Sequence, residues 1–161
     1  MAISNFERMI QLADEVFAVK NDPDQLDVNE EVLNRLRKIH PATVSEFDDG
    51  NGPVAWVLLI PTTSELMERF LAKEVSEKQL YEMTPMDASY DAIYLCSAMV
   101  LEEYRRKGIA KQLSLKAIED IRKDHPIKTL FVWSFSKEGD FGAESIAQST
   151  SLPLYKREPH H

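Results

Sequence analysis

Arg105-Arg106-Lys107-Gly108-Ile109-Ala110 is a short basic segment between an apolar run at residues 92–100 and an amphipathic stretch at residues 108–123. Apolar residues recur in that stretch with helical spacing, so we predict a strand, a loop with glycine and a helix in succession. The first N–H groups of a helix have no partner within it, and the helix dipole adds partial positive charge there. Gly108 has no Cβ to hold a phosphate away from the backbone, and the three basic side chains add charge. The segment therefore predicts a phosphate-binding site.

The composition is that of a folded domain of ordinary size. The chain has 161 residues, of which 43% are hydrophobic and 29% charged, and we expect residues 1–161 to form a single domain. The formal net charge of −8 argues against nucleic acid as the main partner, because duplex binding needs a basic face. The same charge is compatible with a cationic amine as the substrate.

Three further observations bear on location and cofactors. No apolar run approaches the roughly 20 residues that span a bilayer, and residues 1–5 lack the pattern of a signal peptide, so we expect no membrane partner. Cys96 is the only cysteine, which excludes an internal disulfide and favours a cytoplasmic location. The histidines are scattered, without carboxylates at ligand spacing, so we expect no metal.

Two helices are predicted at the start of the chain. Apolar side chains recur with helical spacing at residues 6–17. A second amphipathic helix is expected to begin near Asp27, because Glu30 follows it at capping-box spacing, and to end at Pro41.

A hairpin and a helical insertion are predicted next. Residues 43–47 and 54–60 are strand-like, and the link between them contains two glycines and a proline, which is typical of a tight turn. Thr62 and Ser76 are each followed three residues later by Glu or Gln, so they are candidate caps of two short helices. We expect this pair of helices to cover one side of the sheet.

The remaining elements complete a parallel unit. Residues 92–100 are apolar on both faces, which favours a central strand, and residues 129–135 form another buried strand after the helix. A strand, a helix and a strand in this order indicate parallel pairing. A short helix is expected at residues 143–149, and residues 152–155 are predicted to form an edge strand because Pro153 disfavours a helix and a central strand.

Residues 100–110 resemble the acetyl-CoA signature of the GCN5-related N-acetyltransferase (GNAT) family. The core of that signature is Gln or Arg, two residues, Gly, one residue, then Gly or Ala, and Arg105, Gly108 and Ala110 match it. The matching segment, from a strand through a helix to the next strand, covers about residues 92–135. The resemblance implies an α/β fold (α+β in some schemes) with a mixed central sheet flanked by helices. Here two N-terminal helices and a helical insertion precede the central strand.

The resemblance also implies a site for acetyl-CoA. Its pyrophosphate would lie on consecutive backbone N–H groups, those of Arg106, Lys107, Gly108, Ile109, Ala110 and Lys111. Its pantetheine arm would pair like an added strand with Ala98, Met99 and Val100, where the central strand of such proteins bulges and leaves its parallel neighbour. A backbone N–H near Met99 or Val100 would polarise the thioester carbonyl for direct attack by a deprotonated amine, and an acid would protonate the leaving thiolate.

The sequence departs from the family at this acid. Many relatives have a tyrosine in the helix after the second core strand, whereas residues 143–149 contain none and the equivalent position falls on Ser151. Tyr155 is therefore our candidate for the catalytic acid, and a purely structural role is the alternative. The family's final hairpin also lacks a counterpart, so a homodimer that covers the exposed edge is an open alternative.

The catalytic base is not selected by the sequence. Glu46, Asp48 and Tyr94 are candidates, since each lies on or beside a strand of the predicted sheet. Cys96 lies within an apolar strand, which favours inert packing over a nucleophilic role.

Other polar residues have competing interpretations. His40 and His125 each precede a proline at a helix end, which favours helix C-caps over catalytic bases. The basic residues 105–107 are either phosphate ligands or a solvated turn, and Lys111 is expected to be exposed in both cases.

Two functions follow from these observations. The first is an acetyl-CoA-dependent N-acetyltransferase that acts on a primary amine of a small molecule or peptide. The alternative is a module of the same fold that binds acyl-CoA as a sensor without transferring the acyl group.

Overall fold

A five-stranded mixed sheet forms the centre of the molecule. The computed structural model describes residues 3–20, 26, 30–133 and 137–158. The strands lie side by side in chain order: β1 (Val44–Asp48), β2 (Pro53–Thr62), β3 (Ala92–Val100), β4 (Thr129–Trp133) and β5 (Leu154–Arg157). The pairs β1–β2 and β2–β3 are antiparallel, whereas β3–β4 and β4–β5 are parallel. The predicted α/β fold with a mixed sheet is confirmed.

Helices precede, interrupt and follow the sheet strands. In the described ranges they are α1 (Asn5–Lys20), α2 (Glu30–Ile39), α3 (Ser64–Leu71), α4 (Glu77–Met83), α5 (Ile109–Asp124) and α6 (Lys137–Thr150). The two N-terminal helices and the helical insertion before β3 are thus confirmed, although the predicted start of α2 at Asp27 lies outside the described residues. No helix within these ranges has both the length and the apolar character needed to cross a membrane.

The helices cover both faces of the sheet. Successive side chains of a strand point to opposite faces. In β5, Lys156 binds Glu144 of α6 at 2.5 Å, whereas the guanidinium of the next residue, Arg157, lies 4.5 Å from the ring centre of Phe70 in α3. The insertion therefore covers one side of the sheet, as predicted. This side is opposite α6, and α5 packs beside α6.

Aromatic side chains form the core between α3 and the sheet. The ring of Phe70 meets the rings of Tyr94, Phe131 and Trp133 edge-on, with centroid distances of 5.0, 5.7 and 6.2 Å. All four side chains are buried. Such edge-to-face pairs add about 0.5–1.5 kcal/mol each to the gain from burial, so they hold the insertion against the sheet.

The turn between β1 and β2 is closed by a side chain. Oδ1 of Asp48 accepts hydrogen bonds from the backbone N–H groups of Gly50 and Gly52, at 2.7 and 3.2 Å. The predicted hairpin is confirmed, and the role of Asp48 in it is that of a turn-stabilising acceptor.

The N-cap of α4 lies at the predicted residue, whereas the N-cap of α3 lies one residue after the predicted one. Ser76 and Gln79 form the predicted capping box at α4, with bonds of 2.8 and 3.0 Å. At α3, however, the cap is Thr63, whose hydroxyl accepts from the N–H of Leu66 at 3.3 Å. Thr62 remains in β2 and is fully buried, so it is not available as a cap.

The C-terminal elements are longer or shifted relative to the sequence-based expectation. Helix α6 begins at Lys137 rather than near residue 143 because Gly142 is accommodated within it. β5 is the predicted edge strand, but it begins after Pro153, which has no N–H to donate to the ladder. The expected end of the preceding strand, residues 134–135, lies outside the described residues.

Candidate active site

The parallel strands β3 and β4 separate halfway along β3. Their last paired residues are Leu95 and Val132, although β3 continues to Val100 and β4 to Trp133. On its other side, β3 has a bulge at Cys96, because Leu58 pairs with Ser97 and its neighbour Leu59 pairs with Leu95. We call the gap between β3 and β4 beyond Leu95 the cleft. A bulge with separating strands is the arrangement that the family resemblance implies.

The three β3 residues predicted to contact pantetheine lie along this open part of the strand. Ala98 is exposed, Val100 is half-buried and Met99 is buried, with Met99 paired to Trp56 of β2. Since β2 occupies the other edge, the edge that faces the cleft is the one left for an added strand.

The segment after β3 turns sharply into α5. The N–H of Leu101 donates to the carbonyl oxygen of Val54 at 2.9 Å and ends the strand, and a 3-10 turn at Glu102–Tyr104 follows. Residues 105–108 then form what we call the basic loop, with φ angles of +65° at Arg106 and +76° at Gly108. A Cβ at Gly108 would meet no protein atom within 4 Å, so its left-handed conformation, and not crowding, favours glycine there.

Six consecutive backbone N–H groups of this segment have no acceptor in the part of the chain that the structure describes. The N–H of Arg105 donates to Glu102 at 3.2 Å and that of Gln112 to Gly108 at 2.9 Å. Between them, at residues 106–111, no N–H group has an acceptor among the described residues. Left-handed residues beside a helix N-terminus turn successive N–H groups toward one concavity, which is a typical anion-binding arrangement.

The side chains of the basic loop differ in their contacts. Nε of Arg105 donates to the carbonyl oxygen of Val100 at 2.9 Å, so this side chain folds back onto β3. Arg106 is exposed, and Nζ of Lys107 lies 5.4 Å from the ring centre of Tyr104. Lys111 is half-buried, which corrects the expectation that it is exposed, because the first turn of α5 packs toward the core.

Ile109 and Ala110 begin α5 and are also half-buried. Ala110 packs against the hydrophobic core, so a small residue at this position of the signature has a packing role in addition to its backbone N–H.

Comparison with known proteins agrees with this geometry. The model of the acetyltransferase (GNAT) family matches residues 6–139. The chain belongs to this family. It is accordingly an N-acetyltransferase, and members of the family generally use acetyl-CoA.

One solved structure with a similar chain path is that of an aminoglycoside acetyltransferase from an uncultured soil metagenomic sample, in complex with trehalose. The two chains are 17% identical, the match covers 92% of this chain and 83% of the other, and the TM-score is 0.47. No curated protein is significantly similar to this acetyltransferase in sequence.

The structure does not bring Tyr155 to the basic loop of this acetyltransferase. Tyr155 lies on β5 in register with Phe131, which is in register with Tyr94. Tyr94 and Met99 lie on the same strand, β3. Standard strand spacings therefore place Tyr155 about 16 Å from Met99 along the strands and about 10 Å from it across them. Its side chain is 47% exposed, and Ser151, the position equivalent to the family's tyrosine, lies just beyond α6.

Two of the three candidate bases are engaged elsewhere. Tyr94 is fully buried and donates its hydroxyl to Glu77 of α4. Burial, and next the charge of Glu77, raise the pKa of Tyr94 well above its ordinary value of 10, so it cannot act as a base. Asp48 closes the hairpin turn, as described above.

Glu46 is the third candidate, and β2 and β3 separate it from the cleft. It is exposed, pairs with Trp56 across β1 and β2, and accepts a hydrogen bond from Nε1 of Trp56 at 2.8 Å. Trp56 in turn pairs with Met99, whose far side faces the cleft. No residue that the sequence suggested as a base therefore borders the cleft.

His40 and His125 have structural contacts, and His125 is the C-cap of α5, as predicted. Nδ1 of His40 accepts from the N–H of Ala42 at 3.0 Å, which caps the 3-10 turn after α2, and its Nε2 binds Asp124 at 2.7 Å. His125 does follow the last residue of α5, yet its Nδ1 accepts from the N–H of Tyr90 at 3.4 Å. His125 caps α5 through its backbone N–H, which donates to the carbonyl oxygen of Ile121 at 2.9 Å, while its ring contacts a neighbouring segment.

Cys96 is buried, as predicted. Among the described residues, no cluster of three or more His, Cys, Asp or Glu side chains is arranged to hold a metal ion.

Proposed function

We propose that this acetyltransferase transfers an acetyl group from acetyl-CoA to a primary amine of a small molecule or peptide. The observation that carries the proposal is the run of six N–H groups at residues 106–111, beside the open edge of β3, that have no acceptor among the described residues. A diphosphate needs several donors and a compensating positive charge. The N–H groups and the exposed side chains of Arg106 and Lys107 offer both.

The residues on the cleft side of β3 fit the rest of the donor. The edge of Ala98–Val100 that faces the cleft accepts an extended pantetheine arm by strand addition. Acetyl-CoA supplies an activated acetyl group as a thioester. In the proposed arrangement a backbone N–H at Met99 or Val100 donates to the thioester carbonyl and stabilises negative charge that develops on its oxygen.

Proton transfers in the proposed reaction have no assigned side chain at the cleft. Glu46 lies two strands away, and Tyr155 is distant by the register given above. Water or the substrate is therefore the proposed source of the proton for the thiolate, and the amine is proposed to enter as the free base. Tyr155 stays the sequence-based alternative for the acid.

The absence of a tyrosine from α6 favours a second candidate, a binding module that holds acyl-CoA without turnover. Release of thiol from acetyl-CoA in the presence of a panel of primary amines separates the two functions. Amine-dependent release supports the transferase. Tight binding of CoA without such release supports the sensor.

The variant Gly108→Glu tests the phosphate site itself. A carboxylate at this position repels a diphosphate, and its side chain is strained at a φ of +76°. We expect CoA binding to be lost, as measured by calorimetry. Gly142→Glu is the matched control, because Gly142 is exposed in α6 and also has open space around it. Equal CoA binding by the two variants would place the cofactor elsewhere.

The cytoplasmic location and the homodimer are still predictions. β1 and β5 are the two edges of the described sheet, and β5 is the one that a second subunit would cover in the proposed dimer. Sedimentation of the purified protein measures the oligomeric state directly.

A further inference from the structure

The 3-10 turn before the basic loop is held by residues from two distant parts of the chain. Arg8 of α1 donates from Nη1 and Nη2 to the two carboxylate oxygens of Glu103, at 2.6 Å each. The hydroxyl of Tyr104 donates to Oδ2 of Asp49, in the β1–β2 turn, at 2.5 Å. Asn5 of α1 connects these two contacts, because its Nδ2 donates to Oδ1 of Asp49 at 3.1 Å.

We propose that Arg8, Asp49, Glu103 and Tyr104, which we call the clamp, position the basic loop for the pyrophosphate of CoA. This inference rests on the proposed function and adds positioning residues to it. None of the four supplies an N–H group to the concavity at residues 106–111, so each acts through the 3-10 turn and the loop that follows it.

Apart from the bonds of Arg105 to Val100 and Glu102, the basic loop has few contacts of its own. Its four residues are exposed, two of them have positive φ, and the N–H groups that would anchor it internally are the unpaired ones. On its N-terminal side, the loop is connected through Tyr104 and Glu103. A bidentate contact between a guanidinium and a carboxylate restrains both distance and orientation, which a single surface contact does not.

Arg8 offsets the negative charge of Glu103 beside the proposed anion site. The hydrogen bonds from Arg8 lower the pKa of Glu103 to about 2, so Glu103 is ionised throughout the neutral range. Its charge is balanced by Arg8, and the Asp49 carboxylate accepts bonds from Tyr104 and Asn5. If Glu103 positions the loop, its neutralisation should weaken CoA binding. If Glu103 acts only through its charge, the same change should strengthen CoA binding.

The variant Glu103→Gln separates these contributions. If the clamp positions the loop, CoA binds more weakly, by about twofold to fivefold for loss of one exposed ion pair. If Glu103 acts only by repelling phosphate, CoA binds more tightly. Calorimetric titration with CoA at low ionic strength measures the change, and tighter or equal binding would overturn the proposal.

Glu144→Gln is a closely matched control. Glu144 pairs with Lys156 at 2.5 Å. The carboxylate side chains are 52% exposed at Glu144 and 50% at Glu103, and their cationic partners are 36% exposed at Lys156 and 35% at Arg8. The same chemical change at the same exposure, on the α6 side of the sheet, should leave the dissociation constant of CoA unchanged.

Two further variants exclude a general loss of structure. The charge swap R8E with E103R should restore CoA affinity to within about twofold of the original, because it rebuilds an ion pair of reversed polarity. Tyr104→Phe removes the bond to Asp49 but keeps the ring beside Lys107, and it should weaken CoA binding without lowering the thermal midpoint by more than the control does.

Inorganic pyrophosphate is a direct probe of the loop. Its titration should shift the amide resonances of residues 106–111 in the original protein, and higher concentrations should be needed in Glu103→Gln. If Gly108→Glu abolishes CoA binding while Glu103→Gln and Tyr104→Phe behave like Glu144→Gln, the clamp is refuted and the proposed function stands. If Gly108→Glu has no effect on CoA binding, the proposed function itself fails.

Discussion

Arg105 donates its Nε–H to the carbonyl oxygen of Val100 at 2.9 Å, which connects the first residue of the acetyl-CoA signature to the last residue of β3. The bond spans the 3-10 turn, so the end of the strand and the start of the basic loop are held together directly. Arg105 therefore has a structural contact in addition to the charge for which the sequence singled it out.

Arg105→Lys tests this contact. Lysine keeps the charge but has no group equivalent to Nε, so we expect the dissociation constant of CoA to rise about threefold to tenfold, as for loss of one hydrogen bond. Arg122→Lys is the control, since Nη1 of Arg122 also donates to a backbone carbonyl, that of Thr150 at 3.2 Å, but near the end of α5. Similar CoA affinities for both variants would show that only the charge of Arg105 matters.

Two glycine-to-alanine changes should have opposite effects on stability. At Gly108 the left-handed φ of +76° disfavours alanine, so the free energy of unfolding should fall by about 1 kcal/mol. At Gly142, inside α6 and with open space around it, alanine should raise the free energy of unfolding by about 0.5–1 kcal/mol. Urea denaturation measures both, and a destabilised Gly142→Ala would contradict the assignment of this position to a regular helix.

Tyr155→Phe tests the sequence-based candidate for the acid. Direct proton transfer requires a donor within hydrogen-bonding distance of the thiolate, and the strand register keeps Tyr155 far from Met99. We expect kcat with a responsive amine to stay within about threefold of the original value. A fall of a hundredfold, with CoA affinity unchanged, would instead assign the acid to Tyr155.

His125 should make the stability of the protein depend on pH. Burial, and next the charge of His40, lower the pKa of His125 below its ordinary value of 6.5. The unfolded chain then binds a proton that the folded chain does not, so stability falls as the pH drops below 6.5 and levels off below the folded pKa. Urea midpoints between pH 7.5 and 5.5 should decline less in His125→Gln, and parallel declines in the two proteins would refute this.

Several local features of the fold could be predicted from the sequence to within a few residues. Helical spacing located α1 and α5, and the Ser76–Gln79 pair located the start of α4, because these signals depend on side chains three or four residues apart. The cap of α3 was displaced from Thr62 to Thr63 by the burial of Thr62 in β2, which is a tertiary effect.

Side-chain roles that depend on distant partners could not be predicted. Tyr94 was a candidate base until burial beside Glu77 removed it, and no local pattern predicted that the ring of His40 binds Asp124. No local pattern marks Arg8 as the partner of Glu103, which is 95 residues away. Such pairs form only when the sheet brings the segments together.

The sequence by itself determined the family and the strand–loop–helix unit, and it predicted phosphate binding at residues 105–110, because each depends on short-range sterics, periodicity and the φ that glycine permits. Only the tertiary structure decided that β3 and β4 separate after Leu95, that Arg105 folds onto Val100 and that Tyr155 lies far from the cleft. The physical reason is that strand register and the bulge at Cys96 depend on pairing between segments that are far apart in the chain.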